Sequence, residues 1–243
     1  MRSLIASWNI LKKDVKTYYL KPPNISWGII FPLSWTLMQA LHSAKGNMSG
    51  LLPGLIAMSV LFGTTSMLAV TITFERSGRS FDRLLLAPIS LGMMVGAKIA
   101  GAVIFGIFNA VVPVILVFHY IGLERVKWAM LFLGVLLVAI TSALIGLLIA
   151  VSAQQVFEAQ TLSNFFRFPM LFLCGLFLPL NSLPLFLRPV SYLLPLTYGT
   201  DIIKGAITRN NLMAPALSYG VLLAFATGLF FLCHYNIKRK WIL

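Results

Sequence analysis

The segment with the densest chemistry in this chain is residues 74–88, Phe-Glu-Arg-Ser-Gly-Arg-Ser-Phe-Asp-Arg-Leu-Leu-Leu-Ala-Pro, which lies between two apolar runs. Ser80 is a suitable N-cap for a short helix, Asp82 suits its first turn, and Pro88 marks its end. The other side chains supply an apolar face and further charge: Phe81, Leu84, Leu85, Arg79 and Arg83. The pattern predicts a docking helix, and a solvated loop that only fixes topology explains it equally well.

Other chemistry is poorly represented. The chain has no GxxxxGK[ST] phosphate loop, so ATP and Mg²⁺ are not expected to bind here, and no cofactor is predicted for this chain. Three isolated histidines lack ligands at metal-binding spacing, and no Ser, His and Asp pattern indicates an active site. The acidic residues all fall in predicted loops or at span ends, which disfavours proton-driven transport. They are Asp14, Glu75, Asp82, Glu124, Glu158 and Asp201.

Composition points to the bilayer as the solvent of these residues. Of the 243 residues, 59% are apolar and only 10% are charged, far from the usual soluble mix. Backbone polar groups in hydrocarbon must be satisfied internally, so the apolar runs are predicted to be helices. The net charge of +13 comes from Lys and Arg at the ends of apolar runs, which excludes a nucleic-acid partner and favours membrane lipid. The prediction is a single all-α polytopic transmembrane domain, residues 1–243.

Six spans are predicted, at residues 24–42, 51–73, 89–118, 128–150, 165–180 and 214–235. Residues 1–21 precede them as an amphipathic helix lying in the membrane interface. Its apolar residues recur at steps of three and four, with Arg2 and three lysines on the other side of the wheel. The apolar residues are Leu4, Trp8, Leu11, Val15 and Tyr18.

Positive charge is dense in the N-terminal segment, the 74–88 loop and the tail at residues 238–240, whereas the loop at 43–50 carries only Lys45. Because cytoplasmic loops carry the excess of Lys and Arg, both termini are predicted to be cytoplasmic. Lys98 lies within the third apolar run. Burial of a lysine at the bilayer centre costs roughly 2.5 to 3.5 kcal/mol on insertion scales, so Lys98 is expected near the cytoplasmic end, snorkelling to water.

Two further patterns concern packing. The stretch 169–198 carries too many prolines for one straight helix, which predicts short helices that enter the outer leaflet and turn back. Small residues recur at helix-packing intervals in the third and fourth spans, where packing inside the molecule is their expected role. These are Gly92, Gly96, Ala100, Ser142, Gly146 and Ala150.

The 74–88 loop resembles the permeases of the ABC type 2 exporter family, which commonly read F-E-R-E-x-G-T-L-E-x-L-L-x-x-P after their second span. The matching residues are Phe74, Glu75, Arg76, Asp82 in place of Glu, Leu84, Leu85 and Pro88. A second match lies in Phe-Leu-Pro-Leu-Asn-Ser-Leu-Pro (177–184) and Leu-Pro-Leu-Thr-Tyr-Gly-Thr-Asp (194–201). Where the family has Gly then Thr, this chain has Arg79 then Ser80, which shifts the expected start of the coupling helix.

The resemblance implies a permease homodimer joined to two copies of an ABC ATPase subunit, which bind the ATP and Mg²⁺. It also implies a coupling helix after span two, short re-entrant helices before span six and a place in the inner membrane. The coupling contact would comprise Glu75, Arg76, Arg79, Phe81, Asp82, Arg83, Leu84, Leu85 and Pro88. The re-entrant segment, residues 179–201 at the outer face, would include Pro179, Pro184, Pro195, Tyr198 and Asp201.

On this interpretation the chain moves a hydrophobic or amphiphilic substrate, such as a drug, lipid or lipid-linked glycan, out of the cytoplasm and is not itself an enzyme. Two alternatives stay open. A secondary carrier or channel working without an ATPase would need a buried carboxylate essential to transport. A membrane-embedded enzyme acting on lipid would need polar residues clustered at one depth.

Overall fold

The computed structural model describes residues 2–42, 45–81, 90–120, 126–177 and 179–239, and the regular elements in these ranges are all helical, as predicted. The chain begins with α1 (Arg2–Asp14), π-helical turns at Val15–Tyr19 and Asn24–Ile30, α2 (Phe31–His42) and α3 (Lys45–Ser77). It continues with α4 (Leu91–Asn109), α5 (Val111–Tyr120), α6 (Trp128–Ser152), α7 (Val156–Leu173), a 3-10 turn (Leu180–Ser182), α8 (Arg188–Tyr192), α9 (Pro195–Thr208) and α10 (Pro215–Ile237).

Four helical stretches of the described ranges are long and apolar enough to cross a bilayer: Gly50–Ser77, Leu91–Leu116, Trp128–Ser152 and Pro215–Ile237. They coincide with the predicted second, third, fourth and sixth spans. The predicted first span falls on the second π-helical turn and α2, and the predicted fifth span falls on α7. The count of six therefore stays a prediction.

The predicted bounds of the fifth span, 165–180, are wrong. Helix α7 begins nine residues earlier, at Val156, and ends at Leu173. Its opening turns carry Glu158, Gln160 and Asn164, which lower the hydropathy of a segment that is nevertheless helical. A search for apolar runs misses such turns, because hydropathy measures the free energy of transferring a segment to lipid and not its packing against protein.

Helix α3 forms the centre of the molecule, and the most apolar stretch of it is buried on every side. It is apolar around its whole circumference, the pattern of a helix surrounded by other helices. Its hydroxyl side chains are buried too, and two of them donate to carbonyls one turn back in the same helix: Thr64 to Val60 O (2.8 Å) and Thr73 to Ala69 O (2.7 Å). These two hydroxyls are thereby satisfied without water, whereas Ser59 Oγ has no hydrogen-bond partner among the described residues.

Close contact between α3 and α6 depends on Gly146. A Cβ atom at this position would lie 2.8 Å from the carbonyl oxygen of Thr65, closer than real Cβ atoms approach backbone. Ser142 and Ala150 are buried on either side of it, and Thr65 Oγ1 donates to the carbonyl of Ser142 at 3.3 Å. The packing role predicted for Ser142, Gly146 and Ala150 is confirmed.

The packing role predicted for Gly92 and Gly96 is wrong. A Cβ atom built at either residue meets no atom of the described chain within 4 Å. Their face of α4 is open. The close contacts of α4 are made by two glycines farther along the helix: Gly101 lies against Tyr19, and Gly106 lies against Thr64.

The third apolar run is broken between α4 and α5 at Ala110. Pro113 follows three residues later and has no N–H to donate to the carbonyl of Asn109, so the helix cannot continue unaltered. The run forms two helices, α4 and α5, and together they supply the 26-residue candidate span Leu91–Leu116.

Helix α1 packs along α4 and turns a mixed face inward. Ile10, Asp14 and Tyr18, spaced four residues apart, are buried. Trp8 and Val15 of the predicted apolar face are 63% and 43% exposed. The N-terminal segment therefore has a mixed surface covered by protein and an apolar surface free to contact membrane, in keeping with the interfacial position, which stays a prediction.

Short helices occupy the proline-punctuated segment between α7 and α10, instead of one straight helix. Helix α9 runs antiparallel to the first half of α6: Gly199 faces Val138, Gly134 faces Ile202, and the N–H of Lys127 donates to Ala206 O at 2.9 Å. Pro195 opens α9, at a position where no N–H is needed. The re-entrant placement of this segment in the membrane stays a prediction.

Candidate coupling site

The structure describes the first part of the predicted coupling contact. Glu75 and Arg76 lie in the last turn of α3, Arg79 is exposed just beyond it, and Phe81 is buried. The remaining predicted contact residues lie outside the described residues: Asp82, Arg83, Leu84, Leu85 and Pro88.

Glu75 belongs to a buried cluster of four charges contributed by three helices, α1, α3 and α4. Lys98 Nζ lies 2.6 Å from Glu75 Oε2 and 2.9 Å from Asp14 Oδ2. Lys13 Nζ pairs with Glu75 Oε1 and lies 3.3 Å from Asp14 Oδ1. This cluster, Lys13, Asp14, Glu75 and Lys98, is called the ion cluster below.

Two positive and two negative groups make the ion cluster neutral. Lys98, Asp14 and Glu75 are almost fully buried, whereas the side chain of Lys13 is 35% exposed. Charges out of water are tolerated when they are paired and hydrogen-bonded. The pairing is therefore obligatory: loss of one member leaves another charge buried without a partner.

Lys13 keeps its charge throughout the physiological range. Burial by itself lowers the pKa of Lys13, but the hydrogen bond and charge of Glu75, together with Asp14, outweigh burial and raise the pKa above its ordinary value of 10.5. The stability from this pairing is fully present below about pH 10.5 and is lost only as the pH rises through the higher folded-state value.

The ion cluster corrects one expectation from the sequence and adds the burial of two acidic residues. Lys98 does not snorkel to water, because its ammonium group is taken up by Asp14 and Glu75 inside the protein. Asp14 and Glu75 are buried although both lie at helix ends. The sequence does contain a signal for the cluster: a lysine within an apolar helix needs an acidic partner, and few acidic residues are available.

The placement also refines the role predicted for Glu75. Its carboxylate faces Lys13 and Lys98 inside the protein, at the end of α3 from which the 74–88 loop starts.

Arg76 ties the same end of α3 to the end of α6. Its Nη1 donates to the carbonyls of Ala150 and Ala153, both at 3.1 Å, and Ser77 Oγ donates to Gln154 O at 3.5 Å. Ala150 is within the last turn of α6, where carbonyls lack partners in the helix. A cation placed there satisfies them and interacts favourably with the helix dipole.

The loop start is fixed against the N-terminal segment. Tyr18 and Ser80 share a hydrogen bond of 3.1 Å between their hydroxyls, and Ser80 Oγ lies 3.2 Å from the carbonyl oxygen of Glu75. Tyr18 also stacks on Phe74, with ring centroids 6.4 Å apart. Arg79 adopts a left-handed conformation (φ 51°), which turns the chain out of α3. The loop therefore starts from an end of α3 that is held in place by contacts with α1, α4 and α6.

The outer-segment residues have structural contacts. Asp201 is buried and accepts hydrogen bonds from Leu212 N (2.7 Å) and Ser218 Oγ (3.1 Å), which joins α9 to the start of α10. Tyr198 donates its hydroxyl hydrogen to Tyr192 O at 2.8 Å and so holds α8 against α9.

The three prolines predicted as site residues of this segment lie at turn or helix starts. Pro179 accepts from Ser182 N at 2.9 Å, Pro184 accepts from Leu187 N at 2.9 Å, and Pro195 is the first residue of α9.

Arg167, which sequence reasoning did not single out, is fully buried in α7. It donates to Ser163 O (3.0 Å), Asn164 Oδ1 (3.1 Å) and Ser66 Oγ of α3 (2.6 Å), and its guanidinium carbon lies 4.7 Å from the ring centroid of Phe62. Within the described ranges no carboxylate pairs with it. Hydrogen bonds and a cation–π contact hold this charge and join α7 to α3.

The chain is similar to known proteins over most of its length. Residues 6–208 match the family described as ABC-2 type transporter. The chain is 26% identical over 226 residues to the inner membrane transport permease YadH of Escherichia coli K12, which covers 90% of this chain and 87% of that protein.

Two further relatives are more distant or match over less of the chain. Nodulation protein J of Rhizobium meliloti is 26% identical over 199 residues, or 77% of this chain and 72% of that protein. The probable multidrug ABC transporter permease YbhR of E. coli K12 is 25% identical over 153 residues, or 63% of this chain and 42% of that protein.

Proposed function

Because the chain belongs to the ABC-2 type transporter family and is thus a multi-pass membrane permease subunit of an ABC transporter, we propose that it acts as an exporter. It works as a homodimer with two copies of a separate ATPase, which bind the ATP and Mg²⁺. The substrate is hydrophobic or amphiphilic, such as a drug, a lipid or a lipid-linked glycan. The printed name of YbhR, a probable multidrug permease, supports the drug class as one possibility.

The observation that carries the proposal is the anchorage of α3 directly before the coupling loop. The ion cluster joins the last turn of α3 to α1 and α4, and Arg76 joins it to α6. A displacement of the loop by the ATPase would therefore move these four helices together. ATP binding then shifts the permease between two conformations to the extent that the ATPase contacts one of them better.

The carrier alternative has one observation in its favour, since Asp14, Glu75 and Asp201 are buried carboxylates. Asp14 and Glu75 are paired with lysines in a neutral cluster, and Asp201 accepts hydrogen bonds from Leu212 N and Ser218 Oγ. None of the three can carry a proton without breaking these contacts. Family membership also assigns the energy source to a partner ATPase.

A reconstitution experiment tests the energy source. The chain is purified through an affinity tag together with the ABC ATPase that co-purifies with it, and each component is placed in proteoliposomes alone and combined. We expect ATP-dependent movement of a fluorescent phospholipid analogue or a hydrophobic dye only in the combined sample, because this chain has no phosphate loop. Nucleotide-dependent transport by the chain alone would refute the proposal.

Both termini are proposed to be cytoplasmic, on the strength of the positive charge in the N-terminal segment and at Lys238 and Arg239. A green fluorescent protein fused after Leu243 should be fluorescent, and alkaline phosphatase at the same place should be inactive. Active phosphatase at the C-terminus would reverse the orientation.

A further inference from the structure

An apolar groove runs between α4 and α10 with α6 as its floor, and it has a volume of about 590 Å³. This size is within the range of small-molecule sites, ~300 to 1,000 Å³. A second, smaller cavity continues it and shares Gly96, Ile99 and Phe230 with it. Because α10 ends in the Lys238 and Arg239 tail, the second cavity lies toward the cytoplasmic face in the proposed orientation.

The α4 side of the groove and of the second cavity lacks side chains at two positions, because these positions are glycine. Packing within the described protein does not require glycine at either of them. Gly96 lines both the groove and the second cavity, and Gly92 lines the second cavity, yet a Cβ atom at either one would meet no described atom within 4 Å. Glycine within a helix costs roughly 0.5 to 1 kcal/mol relative to alanine. These two residues leave room for a ligand beside α4.

The cytoplasmic end of the groove is basic. His234 lines it, stacked on Phe230 with ring centroids 6.3 Å apart. Lys238 is exposed one turn farther along the same face of α10. Leu91 and Gly92, in the first turn of α4 after its cap Ser90, line the same end, so the positive end of the helix dipole adds to the side-chain charge.

We propose that this groove binds a phospholipid with an anionic headgroup. One acyl chain lies along Ile99, Ile140 and Leu144, and the phosphate lies at Lys238, His234 and the start of α4. Charge complementarity selects this occupant. A second copy of the chain would bring its own Lys238 and Arg239 to the same membrane face, like charge against like charge, and a purely apolar helix would not use the basic end.

The site is tested with photoreactive phosphatidylglycerol and phosphatidylcholine that carry the same diazirine-labelled acyl chain, applied to the full chain with its ATPase. We expect phosphatidylglycerol to label the groove residues of α6 and α10 roughly tenfold more than phosphatidylcholine, because each basic residue favours an anionic headgroup by a factor of about five. The Lys238→Gln variant should reduce this preference about fivefold and retain acyl-chain labelling.

The Gly96→Leu variant fills the groove where the structure is open, so it should fold normally and lose the labelling. Gly228→Leu is the matched control, because Gly228 is an exposed glycine of α10 with the same open surroundings and does not line the groove. Equal labelling of Gly96→Leu and Gly228→Leu, or equal labelling by the two lipids, would overturn the proposal. Crosslinks between two copies of the chain through the groove would overturn it too, by showing protein as the occupant.

Discussion

Replacement of Lys98 by methionine is expected to lower the free energy of unfolding by about 3 to 5 kcal/mol and to abolish transport. Methionine keeps the length and apolar stem of lysine but leaves one negative charge in excess in the ion cluster. Asp14 and Glu75 would then share Lys13 alone, inside the protein. The loss of stability is measured from the thermal unfolding transition of the purified variant in detergent, compared with that of the unaltered protein.

A double variant serves as the control for this prediction. In Lys98→Met with Glu75→Gln the cluster is neutral again, with Lys13 and Asp14 as the remaining pair. We expect more than half of the lost stability to return, because the destabilisation comes from an uncompensated charge and not from lost packing. The unfolding free energies lost in the single variants Lys98→Met and Glu75→Gln could instead simply add in the double variant. That result would show that the charges of Lys98 and Glu75 are not coupled.

Reversal of charge in the coupling loop, Asp82→Lys, is expected to reduce ATPase co-purification at least roughly tenfold, since an unpaired charge at an interface costs about 2 to 5 kcal/mol. Leu85→Ala should weaken the same contact by removing part of its apolar face. Membrane insertion should be unchanged, because neither substitution lies in a predicted span. Co-purification and substrate export are compared at matched membrane levels.

Glu124→Lys is the matched control for Asp82→Lys, because it reverses an acidic charge in a loop predicted at the outer face, away from the ATPase. It should bind ATPase normally. Normal export by both Asp82→Lys and Leu85→Ala would place the coupling contact elsewhere in the chain.

Much of the architecture follows from apolar runs, since α6 and α10 differ little from their predicted spans and α3 contains its predicted span. Helix α7 was placed poorly because Glu158, Gln160 and Asn164 make its opening turns too polar for a hydropathy argument. Partners for these side chains lie in α7 and just before it: Glu158 Oε2 accepts from Gln154 N at 2.8 Å, and Asn164 Oδ1 accepts from Gln160 Nε2 and Arg167 Nη2. Hydropathy describes the transfer of a segment to lipid and carries no information on these partners.

The sequence pattern singles out the loop at residues 74–88, whereas the contacts that hold the start of this loop could not be predicted from it. Lys98 is 84 residues from Asp14, and spacing along the chain does not reveal which acidic residue will meet it. Gly92 and Gly146 present the same difficulty: both occur at packing intervals, but only tertiary structure distinguishes the glycine that faces a helix from the one that faces open space.

The central position of α3 bears on how the chain is synthesised. Helices α4, α6, α7 and α9, which cover much of it, all follow it in the sequence, so a newly inserted α3 must first reside in lipid without them. Its threonines at positions 64 and 73 tolerate that stage because their hydroxyls already bond within the helix. Ser66 can acquire its arginine partner only after α7 has been translated, so we expect this contact between α3 and α7 to form late in the assembly of the protein.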